Sequence, residues 1–342
     1  MLSHKIIGMC DFLLKGKNIM KKLLVLLLTT LLAFSLTGCG GNGQEETGDK
    51  GFTVGVLQFA QHPALDAATQ GFIDELNKEF DNITFISENA NGEVSNCATM
   101  ANGFVAENVD LIMANATPAL QAVTTATATI PVLGTSVTEY GIALGIDGFT
   151  GVCGGNVSGT SDLANIEQQA QMILDLVANV KTVGILYCGA EDNSKYQFEV
   201  AKKYLEGKGI KVEEGKFSES NDMAAFTQDL CSKVDAIYIP TDNAAASAAE
   251  TIDGVARAAG IPIVTGEENT CVVCGIATQS IDYYELGVIT GQMAGRILRG
   301  EEDIANMKVE YYSDHFEEAK KFNPELCDLF GITVPEGFEA IK

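Results

Sequence analysis

The sequence predicts an α/β protein with two doubly wound, Rossmann-like lobes of parallel sheet, joined by a multi-strand hinge and enclosing a ligand cleft. Short apolar runs alternate with segments of helical spacing, which is typical of parallel strands covered by helices on both faces. The pattern then starts again, because Thr53-Val-Gly-Val-Leu returns in the second half as Thr182-Val-Gly-Ile-Leu. With 342 residues, 46% of them hydrophobic, the chain can bury a core in each lobe.

The first lobe is predicted from strands and helices that alternate along the chain. Each strand is a short apolar run, and each helix keeps apolar residues three and four positions apart. In the first helix, which begins at Pro63, that spacing is kept by Leu65, Phe72 and Leu76. The predicted strands are residues 52–57, 83–86, 111–114 and 130–133, and the later helices are residues 97–107 and 117–127.

One junction between a strand and a helix occurs in both halves. Residues 109–118 combine an apolar strand with Thr117-Pro118, which is typical of a helix N-cap followed by proline in the first turn. Residues 234–243 repeat the order, and Asp242 falls on Thr117. Because a helix start offers free N–H groups and a positive dipole end, each junction is a candidate ligand contact. Capping alone also explains both residues.

Three crossings between the lobes are expected, in residues 151–161, 277–282 and 308–313. Between the second and third crossings, a helix over residues 284–298 is expected to return to the first lobe. Its glycines recur every fourth residue, at 287, 291 and 295, which gives a smooth face for close helix packing. The predicted lobes are residues 52–155 with about 280–307, and residues 156–279 with about 308–342.

The N-terminal region has the features of a secretory leader. Met20-Lys-Lys precedes an apolar segment, and Leu36-Thr-Gly-Cys39 closes it. This resembles the lipobox of bacterial lipoproteins, which implies a leader over residues 1–38 that starts at Met20, lipidation of Cys39 and a flexible tether over residues 39–51. The expected location is the outer face of the cytoplasmic membrane. An ordinary signal peptide or membrane anchor is the alternative.

Composition excludes several functions. The formal net charge of −24 argues against nucleic acid and against attraction to anionic lipid. The sequence lacks a phosphate loop, a dinucleotide fingerprint, a nucleophile elbow and a histidine pair, so it predicts a non-enzyme without cofactor or metal. Carboxylate pairs in the predicted cleft leave a lyase or hydrolase as the enzyme alternative. Cys271 and Cys274 have C-x-x-C spacing without zinc partners, so we expect thiols, with a local disulfide as the alternative.

Candidate binding residues are those in loops at the carboxyl ends of the predicted strands, where open α/β sheets bind ligands. These loops hold several carboxylates and one histidine, while helix N-termini lie beside them. A cationic group and an anionic group can both be held, so the predicted ligand is a small zwitterion such as an amino acid. The candidates are Gln58, Phe59, His62, Thr117, Ser136, Glu139, Tyr140, Glu191, Asn193, Ser194, Thr241, Asp242, Asn243 and Glu267.

These segments together resemble the type I substrate-binding lipoproteins of ABC transporters, in the group associated with tryptophan and tyrosine uptake. The likeness covers nearly all of residues 52–335. It is carried by the order and spacing of several short segments, none of them specific alone. They are residues 58–66, 116–121, 155–159, 191–194, 240–243, 281–287 and 331–335.

The resemblance implies the type I periplasmic-binding-protein fold, closure of two lobes over one ligand, and delivery to an ABC permease driven by its ATPase. On this basis we assign Thr117 and Ser136 to the ligand carboxylate and Asp242 to its ammonium group. Neutral hydrogen bonds are assigned to Gln58, Asn193 and Ser194. A receptor for a sugar, nucleoside or purine, or a membrane-tethered sensor, remains the alternative.

Overall fold

The computed structural model describes residues 51–218 and 223–341. The described part from Gly51 onward belongs to one compact unit. The predicted leader, Met20, Cys39 and most of the tether lie outside the described residues. Among the residues that are described, no helix is both long and apolar enough to span a membrane.

The first lobe is a six-stranded sheet in the order β11-β5-β4-β3-β1-β2, with all of its named pairings parallel. Its elements are β1 (Phe52–Gln58), α1 (Pro63–Glu79), β2 (Ile83–Asn89), α2 (Val94–Glu107), β3 (Leu111–Asn115), α3 (Thr117–Ala126), β4 (Val132–Val137), α4 (Tyr140–Leu144) and β5 (Val157–Ser161).

The second lobe is a seven-stranded sheet in the order β13-β12-β10-β9-β8-β6-β7, in which β12 runs antiparallel to β10. Its elements are α5 (Ile166–Leu176), β6 (Thr182–Cys188), α6 (Asp192–Gly207), β7 (Lys211–Phe217), α7 (Met223–Cys231), β8 (Ala236–Ile239), α8 (Asn243–Ser247), α9 (Ala249–Ala259), β9 (Ile263–Thr265), α10 (Glu268–Cys274) and β10 (Ala277–Ser280). After these come α11 (Tyr283–Leu298), β11 (Glu310–Tyr311), β12 (Ala319–Phe322), α12 (Pro324–Phe330) and β13 (Glu339–Ala340).

Each sheet carries a core on both faces, as the continuous apolar strands predict. In β3, Leu111 and Met113 join the cluster that contains Phe72 of α1, whereas Ile112 joins the cluster that contains Phe104 of α2. Successive side chains of a strand point to opposite faces, so one five-residue strand supplies both cores. The second sheet is covered in the same way by two clusters. The predicted fold class is therefore confirmed.

The chain leaves the first sheet later than the sequence indicated. Strand β5 pairs with β4, and β11 pairs with β5, so residues 157–161 and 310–311 belong to the first sheet. The boundary moves from residue 155 to Ser161, and the return to the second lobe follows Tyr311. The glycines before Val157 suggested the crossing itself, but they form the loop that precedes a hinge strand.

Strand β4 also extends beyond its predicted end at residue 133 and reaches Val137. Gly134, Thr135 and Ser136 have the composition of a loop, yet all three are buried strand residues. The register against β5 shifts between Gly134 and Val137, which marks a bulge. Polar residues are tolerated here because the end of this strand faces the cleft between the lobes.

Helix α11 returns to the first lobe and packs along α1, as its glycine spacing predicted. A Cβ atom on Gly287 would lie far inside van der Waals contact with the carbonyl oxygen of Ala68. Likewise, a Cβ atom on Gly71 would overlap the carbonyl oxygen of Tyr284. Two glycines, one on each helix, therefore let the two backbones touch.

We expect Gly287→Ala to destabilise the protein by about 1–3 kcal/mol, because backbone cannot move aside for the added methyl group. The matched control is Gly254→Ala in α9, where a Cβ atom meets no atom within 4 Å. That change is expected to stabilise by about 0.5–1 kcal/mol through helix propensity. Urea unfolding of both variants is the measurement, and a Gly287→Ala protein as stable as Gly254→Ala would contradict the packing argument.

Candidate functional site

A small cavity lies between the lobes, at the carboxyl ends of the strands of both sheets. It is lined by His62, Ala64, Leu65, Ser136 and Asp162 from the first lobe, by Asn193, Thr241, Asp242, Asn243, Ala246 and Glu267 from the second, and by Tyr283 at the start of α11. The volume of this cavity is about 10 Å³, which is roughly the space of one water molecule. A ligand therefore gains access only when the lobes separate.

The order of the strands in each sheet determines the order in which the cavity side chains lie along the cleft. In the first sheet β5 and β4 lie next to the hinge strand β11, whereas β1 lies farther away. Ser136 lies near the end of β4 and Asp162 follows β5, so both are near the hinge end, and His62 follows β1 at the outer end. In the second lobe Glu267 follows β9, nearer the hinge, and Asn193 follows β6, farther out. The cavity thus has a hinge end and an outer end.

Two residues on the cleft side of the first lobe have strained backbone conformations. Ala116 has φ +88° and Ser136 has φ +54°, both in the region that L-residues avoid. Ala116 immediately precedes α3, and Ser136 sits in the β4 bulge. The buried hydroxyl oxygens of Thr117 and Ser136 have no hydrogen-bond partner in the described structure. Beside them lies the first turn of α3, whose N–H groups have no partner inside the helix.

Asp162 is a cavity residue that the sequence did not single out. Its side chain is buried, one carboxyl oxygen accepts the hydroxyl of Tyr283 at 2.9 Å, and the other oxygen has no partner in the described structure. Burial raises the pKa of Asp162 to about 6. The rule that loops after strands face the cleft would have included it, had residues 157–161 been recognised as a strand of the first sheet.

The other two carboxylates of the cavity wall are occupied by backbone. Asp242 caps α8, and its oxygens accept the N–H groups of Ala245 at 2.8 Å and Cys188 at 2.6 Å. Glu267 caps α10 through the N–H groups of Asn269 and Thr270. Both carboxylates therefore hold their own lobe together, and Asp162 is the cavity carboxylate with an oxygen to spare.

Glu191 lies behind the cavity wall, beside Asp242. It accepts hydrogen bonds from Asn243 Nδ2 at 2.5 Å and from the N–H group of Ala244 at 3.1 Å. Burial, together with the neighbouring charge of Asp242, raises the pKa of Glu191 to about 8. Burial also raises the pKa of the neighbouring Asp242.

Hydrogen bonds between side chains of the described residues join the lobes directly. The Nε2 atom of His62 lies 3.2 Å from Oδ1 of Asn243, across the cavity. Farther out, Gln121 of α3 donates to Asp192 at the start of α6 at 2.9 Å. Since hydrogen bonds between the lobes can form only when they approach, the structure is a closed conformation.

Seven of the fourteen predicted binding residues line the cavity, and two more line an adjoining groove at its outer mouth. Lining the cavity are His62, Ser136, Asn193, Thr241, Asp242, Asn243 and Glu267, and the groove adds Phe59 and Glu191.

The remaining five predicted residues have the following places. Gln58 forms hydrogen bonds within its own lobe, to Ala60, Asp66 and Thr69. Thr117 lies at the start of α3, and Glu139 caps α4. Tyr140 donates a hydrogen bond to Thr160 in the core, and Ser194 is buried beside Asn193. For Gln58, Glu139 and Tyr140 these contacts are structural.

The cavity is acidic. Asp162, Asp242 and Glu267 line it with His62, and its described lining contains neither lysine nor arginine. Such a set favours a ligand that carries a cation.

The seven cysteines in the described residues are free thiols. Cys271 and Cys274 belong to α10 and donate to the carbonyl groups of Gly275 and Thr270, both at 3.4 Å. Burial raises the pKa values of both thiols, so they are inert core groups.

Residues 53–337 match the family model described as ABC transporter substrate binding protein. The chain belongs to this family. A similar relative is the "Tyrosine-binding protein" of Clostridioides difficile, 34% identical over 82% of this chain and 85% of that protein. A Streptococcus pneumoniae ABC domain in complex with L-Trp is 35% identical, with a TM-score of 0.80, over 85% of this chain and all of that chain.

A ligand-free, open substrate-binding protein with adhesive properties from Clostridium difficile is 32% identical, covers 85% of this chain and 99% of its own, and has a TM-score of only 0.64. The two relatives have similar sequence identity to the present chain. The present structure nevertheless has a higher TM-score with the L-Trp complex than with the ligand-free, open protein, in agreement with its closed cleft. A sugar-transporter subunit from Rhodobacter sphaeroides, at 18% identity and a TM-score of 0.56, shares the fold.

The raised pKa of Glu191 predicts a pH effect on stability. Between about pH 4.5 and pH 8 the folded protein holds a proton on this carboxyl that the unfolded chain has released, so stability falls as pH rises through that window. Glu191→Gln removes this dependence and is expected to be more stable than the parent at pH 8 by about 1 kcal/mol or more. Urea unfolding across pH measures it, with exposed Glu88→Gln as the control. Parallel pH curves for parent and Glu191→Gln would refute the prediction.

Proposed function

We propose that this protein is the membrane-anchored receptor of an ABC amino-acid importer, and that it captures the zwitterionic head of an α-amino acid in the cleft between its lobes. The observation that carries the proposal is the unpartnered carboxyl oxygen of Asp162, buried in a cavity whose described lining has no lysine or arginine. A buried carboxylate oxygen with neither a hydrogen-bond donor nor a positive charge beside it is unfavourable. An ammonium group of the ligand supplies that partner.

The carboxylate of the ligand has a complementary place nearby. The hydroxyls of Thr117 and Ser136 are buried without partners, and the N-terminus of α3 directs its free N–H groups to the same side. Ser136 lies near the end of β4, while Asp162 and Thr117 follow β5 and β3, and these three strands are neighbours in one sheet. Support for an amino acid also comes from the relatives, one named for tyrosine and one solved with L-Trp.

This assignment revises the roles of the two junctions. Thr117 keeps its proposed contact with the carboxylate, while the ammonium contact moves from Asp242 to Asp162, because the oxygens of Asp242 already accept backbone N–H groups. Both ends of the zwitterionic head are then held by the first lobe, and the second lobe closes over the rest of the ligand.

Transport follows from closure and release. The ligand shifts the hinge equilibrium because only the closed state contacts it from both lobes. The closed protein hands the ligand to a permease, whose ATPase subunit drives import, and a lipid on Cys39 keeps the protein at the outer face of the membrane. The ligand leaves chemically unchanged, so the protein is not an enzyme.

Asp162→Asn is expected to weaken amino-acid binding by about 10- to 100-fold, because a hydrogen bond to a charged group contributes about 1.5–3 kcal/mol. Calorimetric titration of the soluble domain with the twenty amino acids is the measurement. The control is Asp282→Asn, an exposed cap of α11 at which asparagine caps equally well. Equal affinity of the Asp162→Asn variant and the parent would remove Asp162 from the site. If titration with none of the amino acids produces a heat of binding, the proposed function is wrong.

Because the pKa of Asp162 lies near 6 without ligand, affinity is expected to fall about tenfold as pH drops from 7 to 5. The sign follows from the proton: below pH 6 the carboxyl is neutral and must release its proton before it can pair with an ammonium group. The Asp162→Asn variant has no proton to release there, so its weaker affinity is expected to vary little over the same range. An equal pH dependence in both proteins would argue against this origin.

A further inference from the structure

We propose that Glu318 is a positioning residue of the hinge, whose carboxylate ties together the three segments that cross between the lobes. The inference concerns how the lobes move and goes beyond the proposed function. The carboxylate oxygens of Glu318 accept the backbone N–H group of Asn165 at 3.1 and 3.2 Å and Nε2 of Gln279 at 2.8 Å. Hydrogen bonds to a charged carboxylate are stronger than those between neutral groups.

The three residues belong to three different crossings. Asn165 ends the first crossing, immediately before α5, and Gln279 lies in β10, from which the second crossing leaves. Glu318 ends the third crossing, immediately before β12. Because β10 and β12 are paired up to Ser280 and Ala319, the sheet already holds the second and third crossings together. The carboxylate of Glu318 therefore adds the first crossing to this pair.

The Glu318 tie is joined to the core of the second lobe. Nε2 of Gln169 donates to the carbonyl oxygens of Gln279 at 2.7 Å and of Gly266 at 3.0 Å. The hydroxyl of Tyr238 in turn donates to Oε1 of Gln169 at 2.6 Å. These three side chains are buried, so their hydrogen bonds are shielded from water. Since Gly266 directly precedes the cavity residue Glu267, the second-lobe end of the hinge is fixed to the cavity wall of that lobe.

A second tie holds the crossings at the first-lobe end. The hydroxyl of Thr160, in β5, lies 2.8 Å from the hydroxyl of Thr290 in α11. Thr160 also pairs with Glu310 of β11. Strand β5 leads into the first crossing, α11 follows the second and β11 leads into the third, so Thr160 links all three. Neither tie spans the cleft, and both therefore persist when the lobes separate.

The bend of the hinge lies between the two ties. The segments between them are residues 162–164, 281–282 and 312–317. The third segment coils into a turn, in which the N–H groups of His315 and Phe316 donate to the carbonyl oxygen of Tyr312, both at 3.0 Å. Hinges absorb the change in φ and ψ in a few residues of this kind. With Glu318 in place the three segments bend together, and without it the first bends independently of the other two.

Loss of the Glu318 tie is expected to widen the range of lobe orientations in the unliganded protein. A ligand that contacts both lobes restricts them to one closed orientation, so a wider range raises the entropic cost of closure. The population that is competent to close also becomes smaller, which weakens the apparent affinity. The ligand contacts themselves stay unchanged, because Glu318 lies outside the cavity lining.

The test measures the distance between the lobes by pulsed electron paramagnetic resonance without ligand. It uses the chain from Gly51 onward, which forms one compact unit. Nitroxide labels are attached to Asn102→Cys in α2 of the first lobe and Glu250→Cys in α9 of the second, both at exposed positions. Cys153→Ser removes the half-buried native thiol, while the other cysteines of the described residues are buried.

Three variants are compared in this labelled background. Glu318→Leu removes both acceptor oxygens, and Glu318→Gln retains one. Glu317→Leu makes the same change at the exposed neighbouring residue, and thermal melts check that each variant folds. We expect the width of the distance distribution to grow at least about 1.5-fold in Glu318→Leu, to grow less in Glu318→Gln and to be unchanged in Glu317→Leu. In calorimetric titration with L-tyrosine and L-tryptophan, we expect dissociation constants about 3- to 10-fold higher for Glu318→Leu than for the parent.

An unchanged width in Glu318→Leu, or equal broadening in Glu317→Leu, overturns the assignment of Glu318. If Glu318→Leu fails to fold, Glu318→Gln decides, and a parental width in that variant overturns the assignment as well. A broader distribution with unchanged dissociation constants overturns the link between the tie and affinity. If neither amino acid binds to any of these proteins, that result counts against the proposed function, whereas the distance distributions need no ligand and still decide the role of Glu318.

Discussion

A buried polar atom without a hydrogen-bond partner costs about 1–3 kcal/mol, and the cleft of this protein gathers several of them. The side chains of Thr117, Ser136, Asp162, His62 and Asn193 each leave one such atom near the carboxyl ends of the two sheets. Three further buried atoms, the hydroxyl oxygen of Thr278 and the amide oxygens of Asn115 and Gln279, also lack a partner in the described structure. In the proposed function, the unpaired atoms of Asp162, Ser136 and Thr117 contact the ammonium and carboxylate groups of the ligand, and closure without ligand leaves them unpaired.

The two lobes contribute differently to this outline. The proposed contacts for the charged head lie in or directly after neighbouring strands of the first lobe, where the backbone is strained at Ala116 and Ser136. The second lobe contributes Asn193, Thr241, Asp242, Asn243 and Glu267 to the cavity, and Asn243 contacts His62 of the first lobe. In the proposed function, the second lobe contacts the ligand when the hinge closes.

Buried carboxylates in this cleft serve two purposes. Asp242 and Glu267 cap short helices and accept backbone N–H groups, so their negative charge is used within the fold. Asp162, in contrast, has one oxygen on Tyr283 and one free, and burial raises its pKa to about 6. The difference is one of geometry rather than residue type. It explains why an aspartate at a repeated strand-to-helix junction is a poor guide to ligand contact, since helix capping already accounts for it.

The sequence by itself determined the fold class, because the apolar period of the strands, the repeat of Thr53–Leu57 at Thr182–Leu186 and the glycines of α11 are local patterns with one compatible architecture. It also located the cleft, since the carboxyl ends of parallel strands share one edge. Only the tertiary structure decided which side chains there are free. Gln58 and Asp242 have the right residue types at the right edge, yet other groups of their own lobes occupy their hydrogen-bonding atoms. Asp162 could be recognised as a cavity residue only from the pairing of β5 with β4, which places β5 in the first sheet and which no local sequence pattern encodes.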